Sequence, residues 1–280
     1  MLSQPVQYAT VGGATLGYRS AGSGPPLVLI PGSSNTMAEW DPRMLDELAT
    51  SHRVIVFDNR GAGTSTGSVE RLTIASMARD TAQFIAGVTS GRADVLGWSM
   101  GGFIAQELAI RYPERVRRLV LASTDCGGPG TAPPTERALR ILTDPDATQA
   151  DRLSILFPKN RIGAGVAWST AIGDAFAANG YQPPNSFTVS PATAQEQSLA
   201  AGPRWLGEGR GTCDRLARIT QRTLIGAGRR DVVSPSVNHK TLSTGIPRSS
   251  VSLYEDAGHA FLFQPGLGFT KVIASFLAAR

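Results

Sequence analysis

Short runs rich in Val, Ile and Leu alternate along the chain with stretches whose apolar positions recur at i, i+3 and i+4. Buried strands separated by amphipathic helices produce that pattern, and it predicts an α/β protein with a largely parallel sheet and helices on both faces. An opening antiparallel pair is predicted over 6–11 and 15–20, followed by buried strands at 27–30, stopped by Pro31-Gly32, and 54–57, ending at Asp58. Between them 37–49 has helical character, with Pro42 tolerated only near a first turn or at a break. Ile74, Met77, Ala78, Thr81, Ala82 and Ile85 share one helical face behind Thr73, a predicted N-cap. A strand ending at Gly97, a helix over 101–112 stopped by Pro113, and an apolar strand at 116–122 complete the first half.

From about Cys126 to Thr212 the rhythm changes. Nine of the eighteen prolines fall there, and apolar residues come in short helical groups such as Leu139, Ile141, Leu142 and Leu153, Ile155, Leu156, Phe157. Strand and helix signals resume over 223–227, 235–242, 251–254 and 269–279. The expected organisation is therefore a core of residues 1–125 and 213–280 with a helical cap, 126–212, inserted after the sixth strand.

Composition narrows the function classes. The net charge of +5 arises from 24 Arg and 3 Lys against 22 acids spread along the chain, without the cluster that a nucleic-acid partner requires. Apolar runs are far shorter than the ~18 residues of a membrane helix, and the opening MLSQPVQYAT lacks a signal-peptide core, so a cytoplasmic protein without membrane or nucleic-acid partners is expected, as monomer or homodimer. Two cysteines and three histidines leave little for a metal site. Cys126 and Cys213 bracket the cap; buried free thiols are the default in a reducing compartment, with a bridge between the stems as the alternative.

Chemistry concentrates in Gly97-Trp98-Ser99-Met100-Gly101-Gly102, a G-x-S-x-G between a strand and a helix. A serine on so sharp a turn is pushed clear of the sheet, and the unpaired amides of the following helix favour negative charge on an attacked carbonyl oxygen. A serine hydroxyl needs a base, and the base needs a carboxylate that sets its tautomer. His52 precedes a strand and lies at the wrong sheet end, and His239 reads as a solvated helix position. His259, after the last strand, is the base candidate. Asp231, after the strand at 223–227, is the first choice of carboxylate; Asp125 is its rival, and Asp256 reads as a turn residue. Asp58, heading Asp58-Asn59-Arg60-Gly61-Ala62-Gly63-Thr64-Ser65, is expected to brace a Gly-rich turn.

Pro31-Gly32-Ser33-Ser34, the segment headed by Asp58, the elbow at Ser99, Gly228-Arg229-Arg230-Asp231 and Asp256-Ala257-Gly258-His259 together make the chain resemble the α/β-hydrolase family over nearly its whole length. Within it, the look is that of small bacterial esterases, enol-lactonases and cofactor-free haloperoxidase or perhydrolase relatives. The resemblance implies the α/β-hydrolase fold with an eight-stranded sheet and an inserted helical cap. It also implies an oxyanion hole from the backbone amides of Met100 and Ser33. Many members carry His-Gly where this chain has Pro31-Gly32, so Ser34 is the alternative donor.

Ser99, Asp231 and His259 in that order predict a serine hydrolase that forms an acyl-enzyme on a small carboxylic ester, lactone or thioester, without cofactor or metal. Turnover is then expected to rise with pH through about 6 to 7 as the base loses its proton. The alternatives are the same fold performing C–C cleavage, perhydrolysis or lyase chemistry, and a catalytically silent ligand-binding protein. Trp98, Phe157, Trp168 and Trp205 are the candidates for lining the substrate pocket, with Phe176, Tyr181 and Phe187 as further cap aromatics and Met100 beside the nucleophile.

Overall fold

The computed structural model describes residues 3–144, 146–178, 189–207 and 211–279. Its strands are β1 (Gln7–Val11), β2 (Ala14–Ala21), β3 (Pro26–Ile30), β4 (Arg53–Phe57), β5 (Ala93–Trp98), β6 (Val116–Ala122), β7 (Arg222–Gly228) and β8 (Ser249–Tyr254). They form one sheet in the order β1-β2-β4-β3-β5-β6-β7-β8. β2 pairs antiparallel with β1 and β4, and the other five ladders are parallel. Burial on both faces explains the uninterrupted apolar runs: all six residues of β5 are buried, as are the last four of β3, β4 and β6. The register pairs Ile30 with Gly97, Trp98 with Ala122 and Ala122 with Gly226, so the carboxyl ends of β3, β5, β6 and β7 form one rim.

Around the core run α1 (Pro42–Ala49), α2 (Ile74–Val88), α3 (Met100–Arg111), and, after β7, α8 (Val237–Gly245) and α9 (Phe269–Ala278). On one face of the sheet, Met77 and Phe84 of α2, Ile104 and Leu108 of α3 and Leu242 of α8 pack together. On the other, Leu45 and Leu48 of α1 meet Ile273 and Leu277 of α9. Local signals act as expected. Pro42 opens α1 behind an Asp41 cap whose side chain accepts from the Arg43 amide at 2.9 Å, so the helix expected over 37–49 is instead a single turn, Met37–Glu39, followed by α1. Thr73 caps α2 in a reciprocal pair with Ser76.

Between β6 and β7 the chain forms α4 (Glu136–Thr143), α5 (Gln149–Leu156), α6 (Ile162–Ala178), α7 (Pro191–Ala201) and a wide turn, Gly202–Gly207. The two stems of this insertion are tied. Thr212 donates its amide to the Cys126 carbonyl at 2.6 Å, and Gln106 of α3 bridges them by donating to the Asp125 carbonyl while accepting from the Thr212 hydroxyl. Cys126 and Cys213 form a disulfide with their Cα atoms 4.9 Å apart. The free-thiol expectation is thus corrected: the two stems run side by side, joined by the Thr212 amide and the Gln106 bridge, which brings residues 87 apart in sequence within bonding range. Among the described residues no helix is long and apolar enough to cross a membrane.

Candidate active site

Ser99 follows β5 and opens α3 with φ +56° and ψ −123°, a conformation that costs a residue with a Cβ on the order of 1–3 kcal/mol and persists only where its surroundings over-determine it. They do so here. Its amide donates to the Ala122 carbonyl at 3.0 Å, and its own carbonyl accepts from the Gly102 amide at 2.8 Å and the Thr124 hydroxyl at 3.0 Å. The flanking glycines leave no room for side chains: a Cβ on Gly97 would stand 2.2 Å from the Gly101 carbonyl oxygen, and one on Gly101 2.1 Å from that of Ile30. The turn presents a partly exposed Ser99 hydroxyl above a buried rim.

His259 lies after β8, 3% exposed, with Nε2 2.9 Å from Ser99 Oγ. Its Nδ1 stands 2.9 Å from Asp231 Oδ2. Asp231, after β7, is held by the amides of Val233 and Ser234, each donating to Oδ1 at 2.8 Å. A carboxylate only accepts, so Nδ1 carries the proton and Nε2 is left to accept from the serine hydroxyl. From below, Trp98 donates its indole N–H to the His259 carbonyl at 3.1 Å and packs against Phe263 and Trp40. An imidazole fixed in this tautomer can take the hydroxyl proton as the oxygen attacks a carbonyl carbon.

The other carboxylates are separated by the same geometry. Asp125 accepts from the Gly127 amide at 2.9 Å and the Ser234 hydroxyl at 3.1 Å, so it stands behind Asp231 and is joined to it through Ser234. Burial pushes its carboxyl up to about 6, against the pull of those two donors. Asp58 accepts from the amides of Met37 and Thr64 and from the Thr64 hydroxyl, bracing the turn as expected; burial raises its carboxyl above the usual range. His52 packs near Asp94 and Arg117 at the opposite end of the strands. Asp256 pairs with Arg230 and Arg161 at the surface. Among the described residues no group of three or more His, Cys, Asp or Glu side chains is arranged to hold a metal ion.

Beside Ser99 lies the loop after β3. A Cβ on Gly32 would stand 3.5 Å from Ser99 Cβ. Ser34, at φ +58°, donates its amide to Gln197 Oε1 of α7 at 2.7 Å, whereas the Ser33 amide makes no such bond among the described residues. Met100 is the first residue of α3, its side chain buried in the apolar core. Glu39, at the end of the single turn that follows the same loop, accepts from the Thr36 amide at 2.7 Å, and its carbonyl accepts from the Trp168 indole at 3.2 Å. Burial, outweighing hydrogen bonds from Thr36 and Asn35, pushes the Glu39 carboxyl up to about 7. Sequence reasoning passed over both Glu39 and Gln197. For Glu39 a signal existed, Thr36-x-x-Glu39 being a capping box; Gln197 had none.

The four aromatics expected to line the pocket are all buried. Trp98 sits under His259, Trp168 stacks on Phe263 with ring centroids 5.0 Å apart, and Trp205 stacks on Phe103 at 5.4 Å. Phe157 follows Leu156, whose carbonyl accepts from the Ala260 amide at 3.0 Å, which places the end of α5 against the His259 loop. Tyr181 and Phe187, and the side chain of Phe176, lie outside the described residues.

A family model described as the alpha/beta hydrolase fold matches residues 25–265. The chain is 30% identical over 281 residues to a 2-hydroxymuconate semialdehyde hydrolase of Pseudomonas sp. strain CF600, covering 95% of this chain and 91% of that one. An alpha/beta hydrolase fold protein from Chitinophaga pinensis superposes with TM-score 0.84 at 24% identity, covering 99% of this chain and 98% of the other. The enol-lactonase from Burkholderia xenovorans LB400 does so with TM-score 0.77 at 23% identity, covering 98% and 100%. With that strand order, that elbow and a match running from β3 past His259, the chain belongs to the α/β-hydrolase family of hydrolases.

Proposed function

We propose that the chain is a serine hydrolase that cleaves a small carboxylic ester, lactone or thioester through an acyl-enzyme on Ser99. The observation that carries this reading is the 2.9 Å approach of His259 Nε2 to Ser99 Oγ with Asp231 on the opposite ring nitrogen. Ser99 attacks the carbonyl carbon while His259 takes its proton, Asp231 stabilises the imidazolium, and the amides of Met100 and Ser33 receive the oxyanion. His259 then protonates the leaving group, and water repeats the sequence on the acyl-enzyme. Ser33 is assigned over Ser34 because the Ser34 amide is already engaged by Gln197. The route needs no cofactor. The insertion, 126–212, acts in this reading as a cap that bounds the substrate site, with Phe157 next to Leu156, whose carbonyl accepts from the Ala260 amide.

The likeness to the 2-hydroxymuconate semialdehyde hydrolase favours a second reading, in which the same three side chains cleave a carbon–carbon bond beside a carbonyl. Intact-protein mass spectrometry with a fluorophosphonate probe tests what both share. One adduct on Ser99 is expected, absent in Ser99→Ala and in His259→Ala. Ser99→Ala is expected to lower turnover of the best p-nitrophenyl ester by about 10⁴- to 10⁶-fold. Labelling undiminished in His259→Ala would overturn the assignment of the base, and ester turnover undiminished in Ser99→Ala that of the nucleophile.

A further inference from the structure

Helix α7 crosses from the insertion onto the core with a buried face that is polar where packing alone would call for apolar residues. Thr193 donates its hydroxyl to the Gly61 carbonyl at 2.9 Å, Glu196 accepts from the Leu72 amide at 3.2 Å, and Gln197 Oε1 accepts from the Ser34 amide. These positions, i, i+3 and i+4, seat one helix face on the loops after β3 and β4. Gln197 is completely buried. Because the Ser34 N–H must face an oxygen, the orientation of the Gln197 carboxamide is set, and its two Nε2 hydrogens are left over. That nitrogen is buried and meets no hydrogen-bond partner among the described residues.

Buried donors in native proteins are normally paired, so one left open beside a reacting centre marks a place where a ligand supplies the acceptor. The distance suits this. Ser34 is two residues from Gly32, on which a Cβ would stand 3.5 Å from Ser99 Cβ, so the amide that Gln197 holds lies within a chain path of ~8 Å of the residue beside the nucleophile. Resting on the acyl-enzyme reading, we propose that Gln197 binds the substrate. Its Nε2 donates to an oxygen carried on the acyl chain beyond the scissile carbonyl, while its Oε1 holds the Ser34 amide so that the Ser33 amide stays aimed at the reacting carbonyl. The favoured substrates are then oxo-acyl or similarly oxygenated acyl compounds.

The test compares p-nitrophenyl 4-oxopentanoate with p-nitrophenyl pentanoate, which differ by one oxygen, in the native chain and in Gln197→Met and Gln197→Glu. The ratio of the two kcat/KM values is taken within each preparation and is therefore independent of the fraction folded. The native chain is expected to prefer the oxo ester by about tenfold or more, the worth of a well-placed hydrogen bond to a buried donor. Gln197→Met should bring the ratio to about one, chiefly through KM of the oxo ester, and should lower kcat on both esters alike as Ser34 loses its acceptor. Gln197→Glu keeps an acceptor for Ser34 and should recover kcat on the plain ester without recovering the preference. A native ratio of one, or an unchanged ratio in Gln197→Met, overturns the binding role; a Gln197→Glu chain no faster than Gln197→Met on the plain ester overturns the positioning role. Fluorophosphonate labelling of Ser99 separates the two levels: if it is intact, only the inference about Gln197 has failed, and if it is absent, the acyl-enzyme reading has failed with it.

Discussion

The rim of the sheet and the insertion between β6 and β7 are held by different forces. At the rim, Ser99 and Asp231 follow the buried strands β5 and β7, and His259, after the partly exposed edge strand β8, is held by the Trp98 indole and by the buried Ala257, Ala260 and Phe261 of its own loop, so apolar packing sets where three distant residues meet. In the insertion, α4 buries only Ala138 and α5 only Ile155 among their residues. Beyond the buried Phe157 and the stacking of Trp168 on Phe263 and Trp205 on Phe103, discrete links hold it: the disulfide at its stems, Gln197 on Ser34, Thr193 on Gly61, and Arg204 bridging Glu196 and the Leu72 carbonyl. Dense apolar packing resists displacement of any one group, whereas a segment held by a few stacked rings and polar contacts can shift when one is lost. On the acyl-enzyme reading, the rim holds the reacting atoms still and the insertion adapts what covers them.

The sharpest way to break this contrast is to ask whether the relay ends at the rim. Asp231→Asn is expected to lower kcat by about 10³- to 10⁴-fold, because an amide at that place allows the wrong imidazole tautomer. Asp125→Asn, one residue before the disulfide, should cost under about tenfold, since its carboxylate reaches the relay only through Ser234. Steady-state kinetics on one ester decides, and equal losses would make the stem of the insertion part of the relay.

Thermal unfolding with and without reductant, and of Cys126→Ser/Cys213→Ser, probes the stems. A bond joining residues 87 apart restricts the unfolded chain by about 4.6 kcal/mol. Its loss should lower Tm by about 10 °C and speed proteolysis within the insertion before the core. A shift below about 2 °C would show that the polar links suffice alone.

The smallest effect expected is at Glu39, where the Trp168 indole of α6 meets the core. Its carboxyl moves from 4.5 to about 7 on folding. Across that window the folded chain keeps a proton that the unfolded chain releases, so stability falls as pH rises, by on the order of 3 kcal/mol in all. In Glu39→Gln this contribution vanishes, and the gap between Tm at pH 5 and at pH 8 should shrink relative to the native chain. An unchanged gap would mean that Glu39 ionises as freely in the fold as outside it.

Much of the rim was legible from residue order. The strand before G-x-S-x-G, the position of His259 after the last strand and that of Asp231 after the seventh all follow from rules of strand, turn and helix that act within a few residues. The choice between Asp231 and Asp125 did not, since both stand at the same sheet edge and only side-chain approach separates them. The proposed assignment of Ser33 over Ser34 rests on a glutamine 163 residues away from Ser34. Gln197 carries no local signal, because a polar residue on a helix reads as solvent-facing until another element covers it.

By itself, the order of residues determined the strands, the caps of α1 and α2, the elbow at Ser99 and the family, because periodicity, capping and turn strain are local properties of the chain. Only the tertiary structure decided which carboxylate meets the histidine, that Cys126 and Cys213 are joined, and that Gln197 lies against the loop after β3. Those outcomes depend on which loops the sheet order brings side by side, and contacts across many tens of residues leave no trace in the local pattern of apolar and polar positions.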